Sequence, residues 1–325
     1  MFTKRSKAPV QETPRPPVRA GGAPGVRKRA VRAWDRSNER VKDTLHSMAF
    51  LGPSVTGVLV FFIVPFLVVC YYSVIRSPSN PEFVFLDNFK AVLKNSSFLT
   101  AAKNTAMFSA MAVPLAVVLS LALALLLECR IPCKSLFRTF FLSPMMVPVA
   151  SVVLIWQVVF HYRGTLNVIL ANFGVDPVDW INSPHCLMVI VVLFLWKNLG
   201  YNMILFMAAL NNIPKALLEV ADVEGASAVH KFFNIKLRYL SPTVLFVAIL
   251  SIINSFKVFR EVYLLTGDYP YEGLYMMQHF MNNTFNNNLD YQKMSTAAVL
   301  MALVMVALIA LLFKAEDIFG KDVEG

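Results

Sequence analysis

The 325 residues are 57% hydrophobic and only 15% charged, whereas an ordinary soluble domain carries about 25% charged residues, so a water-soluble globular fold is excluded. The formal net charge of +10 is concentrated at one end: residues 1–48 hold 12 Lys and Arg against Glu12, Asp35, Glu39 and Asp43, and the remainder is nearly neutral. Cys70, Cys129, Cys133 and Cys186 are scattered, with no second Cys or His pair near Cys129 and Cys133 to complete a tetrahedral metal site.

Residues 1–48 are rich in Pro, Gly and Ala and poor in aromatics, which predicts a disordered basic cytoplasmic leader. Such a tail also suits anionic lipid or nucleic acid; its direct junction to an apolar run favours a topology signal, and no nucleic-acid partner is expected. That run starts near residue 48 and is too long for the core of a secretory signal peptide.

A helix needs about 20 apolar residues to cross a bilayer, and six runs qualify: 44–75, 104–127, 139–160, 186–210, 239–266 and 294–313. The fourth contains Lys197, and the fifth contains Lys257, Arg260 and Glu261 toward its far end, where they reach water or pair, Lys257 with Glu261 at i, i+4. Pro53, Pro65, Pro114, Pro144 and Pro148 in the first three predict kinked helices packed on neighbours. Residues 85–93 and 163–174 predict short helices along the membrane surface, with Trp180 at headgroup level. The Asn-rich stretch 281–290 reads as a polar outer loop. His46, His161, His185, His230 and His279 form no catalytic or metal spacing and read as solvated. Lys and Arg are enriched in the leader, in 130–138 and in 211–241, which places both termini inside. The first outer loop, with Arg76, Lys90, Lys94 and Lys103, opposes this, so the orientation rests on the leader.

Between the fourth and fifth runs lies EVADVEGASAVHKFFNIKLRYLSP (219–242). Pro214 suits a first helical turn, Ala216, Leu217, Val220 and Ala221 follow at helical spacing, and Gly225 allows a sharp turn. Ser227 is placed to cap a second helix with Val229, Phe232, Phe233, Lys236, Leu237 and Leu240 on one side. Glu219, Asp222 and Glu224 fall at the C-terminal end of the first helix, where the macrodipole disfavours anions by about 0.3–1 kcal/mol each. Two readings fit: a helix pair resting on headgroups, with the acids serving the second helix, or a short amphipathic helix docking into a partner's groove.

The spacing of Glu219, Ala221, Asp222, Gly225, Ala226, Phe232, Ile235, Leu237 and Pro242 resembles the loop motif of permease subunits of binding-protein-dependent ABC importers. Similarity to the carbohydrate branch extends over about residues 100 to 315, through NTAMFSAMAVPLAVVLSLALALLLE (104–128), FRTFFLSPMMVPVASVVLIW (137–156), LWKNLGYNM (195–203), FKVFREVYLLTG (256–267) and DYQKMSTAAVL (290–300). Val220 stands where the family has Ala, and Arg238 where it has Pro, so the second loop helix is expected to run further.

The resemblance implies an all-α membrane protein of the type I ABC importer permease fold, with six transmembrane helices and a cytoplasmic coupling-helix loop. The domains would be a leader (1–48), a first span with its outer loop (49–100), a permease core with five spans (101–315) and a cytoplasmic tail (316–325). The implied partners are ABC ATPase subunits, a second permease, an extracytoplasmic solute-binding protein and membrane lipid; the implied place is a prokaryotic cell membrane and the implied cargo a sugar or oligosaccharide. No cofactor and no catalysis are expected, since GGAPGVRK (21–28) lacks both the spacing and the Ser/Thr of a phosphate loop and ATP chemistry falls to another chain.

Polar residues inside spans are expensive in hydrocarbon and mark pathways. Asn198, Tyr201 and Asn202 beside Gly200, and Asn254 and Ser255, qualify on that ground, as do Lys197 and Lys257; Asn and Ser also serve as interhelical glue. The resemblance puts the midpoints of the same spans on the path, at Trp196, Leu199, Gly200, Met203, Asn254, Ser255 and Val258. An ion-coupled secondary transporter using Lys197 or Lys257 with Glu261 is the rival reading, and a scaffold without a path is another.

Overall fold

In a computed structural model, residues 50–129 and 132–320 are described; the leader assigned to 1–48 lies outside them. The chain divides into Met1–Phe66 and Leu67–Gly325. In the first unit the described residues are helical and none is buried. A π turn occupies Leu59–Ile63, just ahead of Pro65, which has no N–H to offer and crowds the preceding turn.

Six helical runs among the described residues are long and apolar enough to cross a membrane. They begin with α1 (Phe50–Val74), the first span. In the second unit follow α2 (Asp87–Leu93), α3 (Ser96–Glu128), α4 (Lys134–Met146), α5 (Val149–Phe160), α6 (Thr165–Ala171), α7 (Cys186–Asn211), α8 (Lys215–Val223), α9 (228–256), α10 (Phe259–Thr266), α11 (Met277–Asn286) and α12 (Tyr291–Gly320). Among the described residues there is no strand, only an isolated bridge between Ile75 and Phe83.

The second span, α3, has 33 residues, about 50 Å at 1.5 Å per residue, well beyond the hydrocarbon thickness. Asn95 caps it by accepting from the Phe98 N–H at 3.1 Å. Ala112, Ala116, Ser120 and Ala124 are fully buried at four-residue spacing, a stripe of small residues that lets neighbouring backbones approach where hydrophobicity alone drives nothing. Both α7 and α9 pack on α3. Around Phe108, Val152, Ile190, Phe194 and Val262 one core joins α3, α5, α7 and α10, with Phe108 and Phe194 edge to face at 5.5 Å. A second core, with Leu127, Met203, Phe206, Leu210, Leu240 and Val247, joins the other ends of α3, α7 and α9.

Three expectations are corrected. The run 139–160 is two helices, because Val147 is extended and Pro148 also leaves the α region; a residue before proline is pushed out of that region. The second loop helix does not end before the fifth span: it starts at Ala228, passes a π turn at Phe232–Lys236, and continues through Arg238 and Pro242 to Phe256. The Asn-rich stretch is largely helix α11, whose Asn283 is buried and donates to the Asp268 carbonyl at 2.9 Å. The short helices expected in 85–93 and 163–174 are present as α2 and α6. Next to α6, Trp180 is half-buried, its indole N–H donating to Asn167 Oδ1 at 2.8 Å.

Candidate functional site

Two places collect the sequence-predicted residues. The first is the connection between α7 and α9. Pro214 precedes α8 as its cap residue. At the other end Gly225 sits at φ +76°, its N–H donating to the Asp222 carbonyl at 3.1 Å while the Ala226 N–H reaches the Ala221 carbonyl at 2.9 Å. That double bond pattern with a left-handed glycine closes the helix as a Schellman motif. Ser227 then caps α9 by accepting from the His230 N–H at 3.2 Å.

Ala221 is buried, and Leu218 packs on the core formed by the ends of α3, α7 and α9; the helix is thus seated on the spans by one face. Leu217, Val220 and Val223 on α8 stay exposed, Val223 at 90%, with Glu219 and Asp222 also exposed. The acid placement is partly resolved within the chain, since Asp222 is paired with Lys231 across the Gly225 turn. Lys236 reaches Glu128, the last residue of α3, at 2.6 Å, tying the π turn to a second span. Phe232 is half-buried and stands edge to face with Phe233 at 4.9 Å.

The second place is a cavity of about 1100 Å³ at the break between α9 and α10, walled also by α7 and the α4–α5 junction. Among the expected path residues, Tyr201, Asn254 and Val258 line it, together with Asn198, Lys197 and Lys257. The others do different work. Gly200 lets α4 approach: a Cβ there would meet the Phe141 carbonyl oxygen at 1.8 Å. Met203 is fully buried in the second core. Asn202 donates to Ser251 at 3.2 Å and Ser255 shares a hydrogen bond with Ser109 at 2.8 Å, both binding helix to helix. Leu199 is half-buried, and Trp196 is partly exposed with its ring 6.4 Å from that of Trp156. On the wall itself, Asn254 donates to Asn198 at 2.9 Å.

The expected i, i+4 pair of Lys257 and Glu261 is not formed. The chain leaves the α path at Lys257 and Val258, which removes the spacing, and Glu261 pairs instead with Lys197 of α7. Glu261 is buried, not extended to water. Sequence spacing did not reveal this partner, 64 residues away; a lone cation inside an otherwise apolar span was the available signal. Gln278 of α11 and Met145 of α4, also on the wall, carried no signal in the sequence. Among the described residues no three His, Cys, Asp or Glu converge as metal ligands.

The family described as binding-protein-dependent transport system inner membrane component matches residues 116–324. The chain is 32% identical over 224 residues to the arabinooligosaccharides transport system permease protein AraP of Bacillus subtilis (strain 168), covering 66% of this chain and 70% of that one. It is 28% identical over 271 residues to the sn-glycerol-3-phosphate transport system permease protein UgpA of Agrobacterium fabrum, covering 81% and 92%. To the trehalose/maltose transport system permease protein MalF of Thermococcus litoralis it is 31% identical over 224 residues, covering 67% and 76%. In fold it is similar to a chain in the crystal structure of a bacterial ABC transporter involved in the import of the acidic polysaccharide alginate, with TM-score 0.75, 20% identity, and coverage of 86% and 98%.

Proposed function

The chain belongs to the family of binding-protein-dependent transport system inner membrane components, and from that membership we propose that it imports a sugar, oligosaccharide or related polyol. It is a membrane-spanning permease subunit of an ATP-driven ABC importer and works with ATPase subunits, a second permease and a solute-binding protein. The cargo assignment is supported by relatives named for arabinooligosaccharides, trehalose/maltose and sn-glycerol 3-phosphate. Membership in a binding-protein-dependent family sets aside ion coupling through Lys197 or Lys257.

ATP hydrolysis belongs to the partner subunits, and both termini face the cytoplasm with them. In this reading α8 is the coupling helix, presenting Glu219, Val220 and Val223 to an ATPase cleft while Ala221 and Leu218 hold it to the spans. Asp222, Gly225, Ala226 and Phe232 shape the turn that carries it. Tyr201, Asn254 and Val258 line half of the path; Trp196, Leu199, Gly200, Asn202, Met203 and Ser255 shape the helices around it. The carrying observation is the Schellman turn at Gly225: it fixes an exposed short helix onto the ends of α7 and α9, the two elements whose opposite portions wall the cavity.

The test exploits the open space around Gly225, where a Cβ would meet nothing within 4 Å. Only the positive φ then opposes a side chain, by about 1–2 kcal/mol. Gly225→Val is expected to abolish solute uptake by the reconstituted importer while membrane insertion and basal ATP hydrolysis persist; Gly225→Asn, which tolerates the left-handed region, is expected to keep uptake. Full uptake by the valine variant would remove the coupling role.

A further inference from the structure

The wall of the cavity carries an unequal set of charges. Lys197, Lys257 and Arg260 face it against a single lining carboxylate, Glu261. Glu261 is already committed to Lys197, with the two side chains 10% and 21% exposed respectively. Lys257 and Arg260 are exposed, and among the described residues neither forms an ion pair. The rest of the polar wall, including Asn198, Tyr201, Asn254 and Gln278, is neutral.

Cations within a membrane-spanning region are costly and are kept where they face water or a ligand. Both of these sit where α9 breaks and α10 begins, three residues apart, on the same wall as the Lys197–Glu261 pair, so they address the cavity interior. Two like charges at one site repel unless an anion is shared between them. Apolar walls of low dielectric focus their combined field into the cavity, and a guanidinium adds a planar fork suited to two oxygens of a carboxylate or phosphate. A solute of hydroxyls alone would use the amides and the Tyr201 ring, whereas an anionic group would also engage the two cations on the wall.

We propose that the solute moved along this path bears a negative charge, a carboxylate or a phosphate on a sugar or polyol, and that Lys257 and Arg260 receive it. The inference rests on reading the cavity as part of the translocation path. As the anion enters, it also competes with Glu261 for Lys197, so the pair on the wall serves as a ready third cation.

The experiment is uptake into proteoliposomes holding the whole importer, since a second permease supplies the other half of the path. The probes are digalacturonate against neutral galactobiose, and sn-glycerol 3-phosphate against glycerol. Uptake of at least one acidic probe is expected to exceed that of its neutral counterpart by about tenfold or more; which acid responds separates carboxylate from phosphate. The Lys257→Gln/Arg260→Gln variant is expected to lose that preference, while Lys257→Arg/Arg260→Lys, which keeps both charges, retains it. No uptake of either acid, equal uptake of acid and neutral probes, an unchanged preference in the glutamine variant, or a loss shared by the charge-keeping variant would each overturn the proposal. ATP hydrolysis stimulated by the binding protein is read alongside: if it persists when the acid preference is absent, only this proposal fails, and if it is absent from the unaltered importer the function it rests on fails as well.

Discussion

His279 lies fully buried between elements, its Nδ1 accepting from the Met276 N–H at 3.2 Å and its ring edge-on to Phe259 at 4.7 Å. Sequence alone predicts a solvated histidine here; α11 instead folds it inward, where Nε2 has no partner among the described residues. Burial pushes the imidazole down to about 4, against the opposing pull of Asp268, because a low-dielectric site disfavours the charged ring. The unfolded chain, with an ordinary value near 6.5, binds the proton first as pH falls. Stability from this residue is therefore complete above about 6.5 and is lost progressively as pH drops toward 4. Thermal midpoints of the detergent-solubilised protein at pH 7.5 and pH 4.5 are expected to differ less in His279→Gln than in the unaltered chain; an equal difference would place the acid sensitivity elsewhere. Residue by residue, the apolar span positions were legible because burial in lipid or core asks for the same side chains, whereas Asn202, Asn254 and Ser255 looked alike in the sequence. Contacts separate them: Asn254 lines the cavity, while Asn202 and Ser255 are occupied between helices.

Helices meet here through small residues rather than through a hydrophobic drive, since lipid offers the same apolar contacts. The approach of α4 to α7 depends on Gly200, whose missing side chain leaves room for the Phe141 carbonyl. Gly200→Ala is expected to lower the stability of the solubilised protein by about 1–3 kcal/mol, the cost of overpacking a close contact, seen as a reduced thermal midpoint with normal membrane insertion. An unchanged midpoint would mean the two backbones are not in contact. Proline divides the third apolar run: Pro144 lies inside α4 without ending it, whereas Pro148 follows the extended Val147 and separates α4 from α5. Pro242 likewise lies inside α9. Local sequence supplied the candidates for breaks, and packing chose among them. Arg238, where the motif it resembles carries proline, keeps its backbone N–H, and α9 runs on through the π turn at Phe232–Lys236 into the fifth span.

At the scale of the whole chain, the proposed orientation, with both termini in the cytoplasm, rests on the Lys and Arg of the leader and of the connections at 130–138 and 211–241. Cys129 borders the first of those connections, Cys133 lies within it, and both are exposed, whereas Cys186 is buried. In a Cys70→Ser background, a membrane-impermeant thiol reagent is expected to label inside-out vesicles at Cys129 and Cys133 and to leave intact spheroplasts unlabelled; labelling of spheroplasts would reverse the topology. The sequence by itself determined the membrane class, six apolar runs, the capped and glycine-closed loop helix between the fourth and fifth, and the family resemblance, because each depends on composition or on neighbours within about ten residues. Only the tertiary structure decided that Glu261 answers Lys197 across two helices, that Gly200 serves helix contact, and that Lys257 and Arg260 face a common cavity. These are meetings of residues distant in the chain, and they turn on where α9 breaks and how α3, α7 and α9 pack. Spacing along one strand of sequence carries no record of that.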